Sequence, residues 1–242
     1  MAVLVTRPHP DNQRTAHALT LRGIEALLAP MLQFEALPLP DLSGDYAALI
    51  VTSANALRAI EQAPALARLQ ALPVYTVGDH GAQVARAAGF SHVFSAAGDA
   101  RALAGLVGEQ MAGATKPLLY PSAEDISFDL AGSLKGQGIA VAQFAAYRMA
   151  ARPALAREVC EALSQGHVSA ILHYSQRSAD VFFDLLQRCG DARTIGMAMS
   201  DAVLHACLSE PIAGVARQAG ARRVAVAAHP DETSLLALLP TA

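Results

Sequence analysis

The 242 residues are enough for two domains of ordinary size, and 53% hydrophobic against 16% charged residues excludes a disordered chain. The formal net charge of −3 offers a polyanion no general attraction, which argues against nucleic acid as a partner. No apolar run reaches membrane-span length, the start MAVLVTRP has no charged region ahead of a long apolar one, and Cys160, Cys189 and Cys207 lie in helix-like stretches without C-x-x-C spacing, so a reduced, cytoplasmic protein without a membrane partner is expected.

In chain order, strand and helix patterns alternate. Residues 3–6 read as a strand, 11–22 as a helix with Gly23 as its C-cap, and 24–28 as a second strand. Residues 34–40 (FEALPLP) are extended, because two prolines remove donors and fix φ. There follow strand 47–51, helix 55–62, strand 74–77, helix 82–88, strand 92–95 and helix 99–112. Strand 118–121, helix 125–135 and strand 139–143 come next, then a second extended stretch, 144–153 (FAAYRMAARP). The last part carries strands near 168–173, 194–199 and 223–227, each followed by a helix, with His205 on one of them. The alternation predicts parallel sheets with right-handed crossovers, about five strands to a layer, the flavodoxin-like number.

The pattern occurs twice. DYAALIVTSANALRAI and HVSAILHYSQRSADVFF share a buried strand turning directly into a helix, with Ser53 and Ser175 in the same place 122 residues apart. VYTVGDHGA and IGMAMSDAV match at the same offset, Gly78 on Ser200. AAGFSHVFSAAGDARALAGLV then resembles QAGARRVAVAAHPDETSLLALL at an offset of 131, which implies a longer second copy near residues 208–214. Upstream, VTRPHPDNQRTAHALTLRGIEAL resembles YPSAEDISFDLAGSLKGQGIAVA, Gly23 on Gly138. An internal duplication follows. The halves can pair in sequence, or swapped so that the first and last parts of the chain make one discontinuous domain; the pattern leaves both open.

The strand-to-helix turns carry the candidate chemistry. A helix amino end presents unpaired N–H groups, and hydroxyls beside it suit an anion. Ser53, Ser175 and Ser178 stand at such turns, with plain helix capping as the alternative. Thr6 and Arg7 end the first strand, where ligands gather in open α/β sheets; Arg7 reads as a fork for a carboxylate or phosphate, or as a surface ion pair. Gly78 and Asp79 make a turn permitting close approach. Asp11, Asp99 and Asp231 begin helices, and capping explains them. Tyr147 is a phenol on an extended linker, read either as functional or as a structural strand residue. No G-x-G-x-x-G, Walker A loop or G-x-S-x-G elbow is present, and His167, His173 and His205 lack metal spacing, so neither nucleotide cofactor nor metal is expected.

The set VTRP, LIVTSANAL, LPVYTVGD, SAAGDARAL, Tyr147-Arg148 and ILHYSQRSA, in that order along the chain, resembles the uroporphyrinogen-III synthase family. The resemblance implies a cofactor-free enzyme that closes hydroxymethylbilane to uroporphyrinogen III, inverting ring D through a spiro intermediate with loss of water. It implies the swapped architecture: two flavodoxin-like parallel-sheet domains, residues 1–34 with 153–242 and residues 41–144, joined by a two-stranded β-ladder of linkers 35–40 and 145–152. It implies Tyr147 as the residue assisting hydroxyl departure. Substrate contacts are implied at Thr6, Arg7, Thr52, Ser53, Ala54, Asn55, Gly78, Asp79, Ser122, Ser175, Gln176, Arg177, Ser178, Ser200, Asp201 and Ala202. A monomer is expected, with hydroxymethylbilane and uroporphyrinogen III as its only partners. The rival expectation is a non-catalytic two-lobed protein binding an anionic metabolite.

Overall fold

The strands are, in chain order, β1 (Ala2–Val5), β2 (Ala26–Leu28), β3 (Leu32–Ala36), β4 (Ala48–Val51), β5 (Val74–Thr76), β6 (Val93–Ser95), β7 (Leu118–Ala123), β8 (Val141–Ala151), β9 (Val168–His173), β10 (Leu204–Cys207) and β11 (Val224–Val226). They come from a computed structural model describing residues 1–189 and 191–239. The chain divides into two units, Met1–Gln33 with Ala150–Ala242, and Phe34–Met149, so the division falls inside β3 and again inside β8.

In the first unit the sheet order is β11-β10-β9-β1-β2, all parallel. Taken from β1, this is the order 2-1-3-4-5 of a flavodoxin-like layer. β1 and β10 are buried over their whole length, as expected of parallel strands covered on both faces. Successive residues serve opposite cores: Leu4 and Ile171 pack with Phe182 and Phe183 on one face, Val3, Val5, Ala170 and Leu172 with Leu235 and Leu236 on the other.

In the second unit the order is β3-β8-β7-β4-β5-β6. β8 to β6 are parallel and repeat the order 2-1-3-4-5 with β7 in the place of β1 and β4 in that of β9. β3 lies antiparallel along the outside of β8, since the bonds Leu37 N to Ala146 O and Arg152 N to Met31 O run in opposite senses along the two strands. β4 alternates, Leu49 and Val51 to one core and Ala48 and Ile50 to the other. Gly23 and Gly138 both end helices with positive φ, 70° and 80°, as the repeat requires.

The structure departs from expectation in several places. The run near 194–199 is the helix Ala192–Ala198, not a strand. Asp191 caps it through Arg193 N, and Thr194 and Ala198 bury one side, so a short apolar run that reads equally as strand is decided by its cap. The strand is β10, which places His205 and Cys207 on a sheet rather than a helix. The extra residues of the second copy therefore precede β10 instead of lying at 208–214; the helix Gln176–Arg188 has 13 residues where its counterpart Ala54–Ile60 has 7. Residues 141–151 form one continuous strand, and the predicted helix 125–135 is confined to Leu130–Lys135.

Two histidines are wholly enclosed in the first unit. His205 Nε2 lies 2.9 Å from the Ala198 carbonyl, which can only accept, so that nitrogen carries the proton. His205 Nδ1 is then an acceptor, and His173 Nε2, 3.1 Å away, must donate to it. His173 Nδ1 is left as a bare lone pair without a partner among the described residues. Phe182 and Phe183 pack against both rings. Burial lowers both pKa values below the ordinary 6.5, His173 well below, with the charge of His205 adding to the effect there. Above that pH both states are neutral; below it the unfolded chain takes up protons that the folded one refuses. Stability should therefore fall with acidification, at up to about 2.7 kcal/mol per pH unit for two protons. Urea midpoints between about pH 7 and pH 5 measure this, and His173→Leu should flatten the profile; equal slopes in both proteins would show that the pair is charged or exposed.

Candidate functional site

Each sheet reverses strand order once, at β1/β9 in the first unit and at β7/β4 in the second, and the crevice beyond the carboxyl ends there is where open α/β sheets bind ligands. The stretches singled out from sequence, Thr6-Arg7, Thr52 to Asn55, Ser122 and Ser175 to Ser178, lie directly after or at the ends of those four strands.

In the first unit Ser175 caps the helix Gln176–Arg188 by accepting from Ser178 N at 3.1 Å, and its own hydroxyl donates to Ser178 Oγ at 2.9 Å. Gln176 and Arg177 form the exposed first turn. Arg7 is half-buried. Its Nη2 lies 3.1 Å from Asp11, its Nη1 3.2 Å from Glu232 and 3.4 Å from Thr15 Oγ1, and its guanidinium lies 4.3 Å over the ring of Tyr174. Burial, with the Glu232 charge beside it, pushes the Tyr174 phenol far above its ordinary value, so it stays protonated. Sequence reasoning missed Thr15, Tyr174 and Glu232 and gave Asp11 only a capping role. Tyr174 could have been found, since it immediately precedes the capping Ser175; nothing local marks Glu232.

In the second unit Ser53 caps the helix Ala54–Ile60, accepting from Asn55 N at 3.2 Å. Thr52 Oγ1 lies 3.4 Å from the Tyr120 hydroxyl, joining β4 to β7. Tyr147 sits on β8, 4% exposed, its ring stacked on Phe34 at 5.7 Å and Ser53 among the groups that act on its phenol. Asn55 Nδ2 reaches Met149 Sδ at 3.5 Å. Burial raises the pKa of both Tyr147 and Tyr120, so both are protonated donors at neutral pH. Thr52, Ser53, Asn55, Tyr120 and Tyr147 are thus one hydroxyl-rich cluster.

Gly78 and Asp79 lie at the same sheet edge, after β5, with Gly78 in extended conformation as N-cap of the helix Asp79–Ala87 and open space where a Cβ would stand. Three expectations are corrected. Thr6 is fully buried and its Oγ1 donates to Leu172 O at 2.6 Å, stitching β1 to β9, so that hydroxyl is committed to the sheet. Ser122 is buried too, its Oγ donating to Ala123 O and Phe144 O and accepting from Gln143 Nε2. Ser200, Asp201 and Ala202 precede β10 and lie at the amino end of the sheet, opposite the other candidates. The residue corresponding to Gly78 is Ser209, N-cap of the helix Glu210–Gln218, 131 residues on. A cavity of about 560 Å³ elsewhere in the second unit, between residues 39–43 and 63–68, involves none of these groups.

No curated protein matches the chain. Among solved structures it is similar to a uroporphyrinogen-III synthetase from Helicobacter pylori, at 19% identity and a TM-score of 0.64, covering 98% of this chain and 97% of that one. It is also similar to a mutant uroporphyrinogen III synthase from the extremely thermophilic bacterium Thermus thermophilus, at 17% identity and a TM-score of 0.53, covering 98% and 96%. These likenesses share the fold. The sequence matches the family described as HEM4, Uroporphyrinogen-III synthase HemD, over residues 13–237, and the chain belongs to that family.

Proposed function

We propose that Tyr147 is the proton donor for hydroxyl departure in the family's reaction, the closure of hydroxymethylbilane to uroporphyrinogen III. The observation carrying this reading is the buried, protonated Tyr147 phenol near the capping Ser53 at the carboxyl edge of the second sheet. Ser53 Oγ already accepts from Asn55 N, so its own proton can go to the Tyr147 oxygen, leaving the phenolic O–H for the substrate.

The reaction asks for little else from side chains. The electron-rich terminal pyrrole breaks its bond to the hydroxyl, which leaves as water with an added proton, and an azafulvene remains. The substituted carbon of ring D attacks it; the spiro intermediate fragments and recloses with ring D inverted, and a ring proton is lost, so the net change is one water. Direct closure without inversion gives isomer I, so much of the protein's task is to hold both ends of the chain in the inverting geometry. The substrate's carboxylates suit the N–H groups of the helices Asp79–Ala87, Gln176–Arg188 and Glu210–Gln218 and the side chains of Gln176 and Arg177. In this reading residues 1–34 with 153–242, and 41–144, are the two substrate-holding bodies, with 35–40 and 145–152 as their linkers. The protein works as a monomer in the cytoplasm without cofactor, nucleic acid or membrane. A purely binding role would have no use for the Tyr147 phenol.

Freshly prepared hydroxymethylbilane incubated with the protein should give mainly uroporphyrinogen III when the isomers are separated; isomer I alone, the spontaneous product, would refute the reaction. Tyr147→Phe keeps the ring and removes the hydroxyl. Positioned general acids contribute on the order of 10²- to 10⁴-fold, so kcat should fall at least about tenfold, or about 1.4 kcal/mol, with the melting temperature nearly unchanged. Turnover at the parent rate would make Tyr147 a packing residue.

A further inference from the structure

Three donors on three separate elements converge on one carboxylate oxygen in the first unit. Glu232 Oε1 accepts from Arg7 Nη1 at 3.2 Å, from the Tyr174 hydroxyl at 3.1 Å and from Thr15 Oγ1. Arg7 follows β1, Tyr174 follows β9 and Thr15 belongs to the helix Asp11–Thr20, so the donors are fixed by the sheet and the helix beside it. A guanidinium and two hydroxyls aimed at one point are the parts of a carboxylate receptor. The carboxylate filling it comes from the chain's own short helix Glu232–Leu236 and is 35% exposed, within reach of exchange with solvent.

The charges make the same point. Asp11 is shared between Arg7 Nη2 at 3.1 Å and Arg14 Nη2 at 2.5 Å. Two guanidiniums face two carboxylates while Glu232 is in place, and the network is neutral. With Glu232 swung away it carries one uncompensated positive charge, which is room for one carboxylate.

We propose that Arg7, Thr15 and Tyr174 form a subsite for a carboxylate of the substrate, and that Glu232 occupies it in the free protein as an internal competitor the ligand must displace. The inference rests on reading this sheet edge as substrate-facing. Apparent affinity is then the intrinsic affinity reduced by the fraction of molecules in which the subsite stands open. Emptying it permanently should tighten binding without touching the bond-breaking step.

The test uses the whole chain and uroporphyrin III, a stable octacarboxylate, titrated by fluorescence. In Glu232→Ala its Kd should fall about fivefold or more, and in Glu232→Gln by less, because the amide oxygen can still accept from part of the donor set. Glu161→Gln removes one exposed acid from another helix, where it pairs with Arg157, and controls for net charge; its Kd should stay at the parent value. Adding Thr15→Val to Glu232→Ala should raise the Kd again. With hydroxymethylbilane, Glu232→Ala should lower KM while kcat stays within about twofold. An unchanged or raised Kd in folded Glu232→Ala overturns the subsite; if that variant fails to fold, Glu232→Gln decides by the same criterion. A parent protein that makes isomer III while its Glu232 variants bind uroporphyrin III no better leaves the reaction standing and removes only this subsite.

Discussion

At a switch point in a parallel sheet, two neighbouring strands send their chains to opposite faces, and the polar groups at their carboxyl ends lose the neighbours that would have paired them. Both units meet this constraint with side-chain hydroxyls. Thr6 Oγ1 spans from β1 to Leu172 O on β9, and Thr52 Oγ1 meets the Tyr120 hydroxyl across β4 and β7. Closing the sheet this way fixes where the next residues go. Arg7 and Tyr174 emerge side by side in the first unit, and Ser53 emerges opposite Tyr147 in the second. The candidate site therefore follows from how a doubly wound sheet ends.

One strand order has been given two different chemistries. The first unit surrounds its switch point with charge: Arg7, Asp11 and Glu232, with Tyr174 drawn in as a donor. The second surrounds its own with neutral hydroxyls and phenols in an apolar setting of Phe34, Leu57 and Ala146. On the proposed reading hydroxymethylbilane needs both kinds of group, since its carboxylates call for fixed positive groups and donors and its departing hydroxyl for a proton. Duplication lets the two copies diverge at their switch points without changing the core that holds either.

The fold was legible wherever its signal was repeated. The buried runs of β4 and β9, each turning into a helix through a capping serine, could be read directly, and the 122-residue offset between Ser53 and Ser175 tied them together. Legibility failed where one short apolar run had two readings. IGMAM has no period long enough to separate strand from helix, and Asp191 decided it through a cap. That single misreading carried Ser200 to the wrong end of the sheet and moved the insertion to 208–214. In the site, residues next to a strand end could be found, whereas Glu232 could not, because it reaches Arg7 only once the last helix has packed against the sheet.

Three protonated tyrosines stand at the switch points, Tyr174 in the first unit and Tyr120 and Tyr147 in the second, so burial alone does not say which one would serve the proposed step. The partners do. The Tyr174 O–H faces a carboxylate, which can only accept, and that proton is committed to Glu232. The Tyr147 phenol stands near Ser53, a hydroxyl whose oxygen accepts from Asn55 N and whose own proton can serve as a donor. The Tyr174 proton thus has an obligatory acceptor inside the protein, whereas those of Tyr147 and Tyr120, whose neighbours Ser53 and Thr52 are hydroxyls, do not. The raised pKa of Tyr147 keeps the phenol protonated at neutral pH, so it can offer a hydrogen bond to the leaving oxygen. Of the two second-unit phenols, Tyr147 is the one that stacks on Phe34 and stands near the capping Ser53, and the proposed mechanism assigns it the step on that ground.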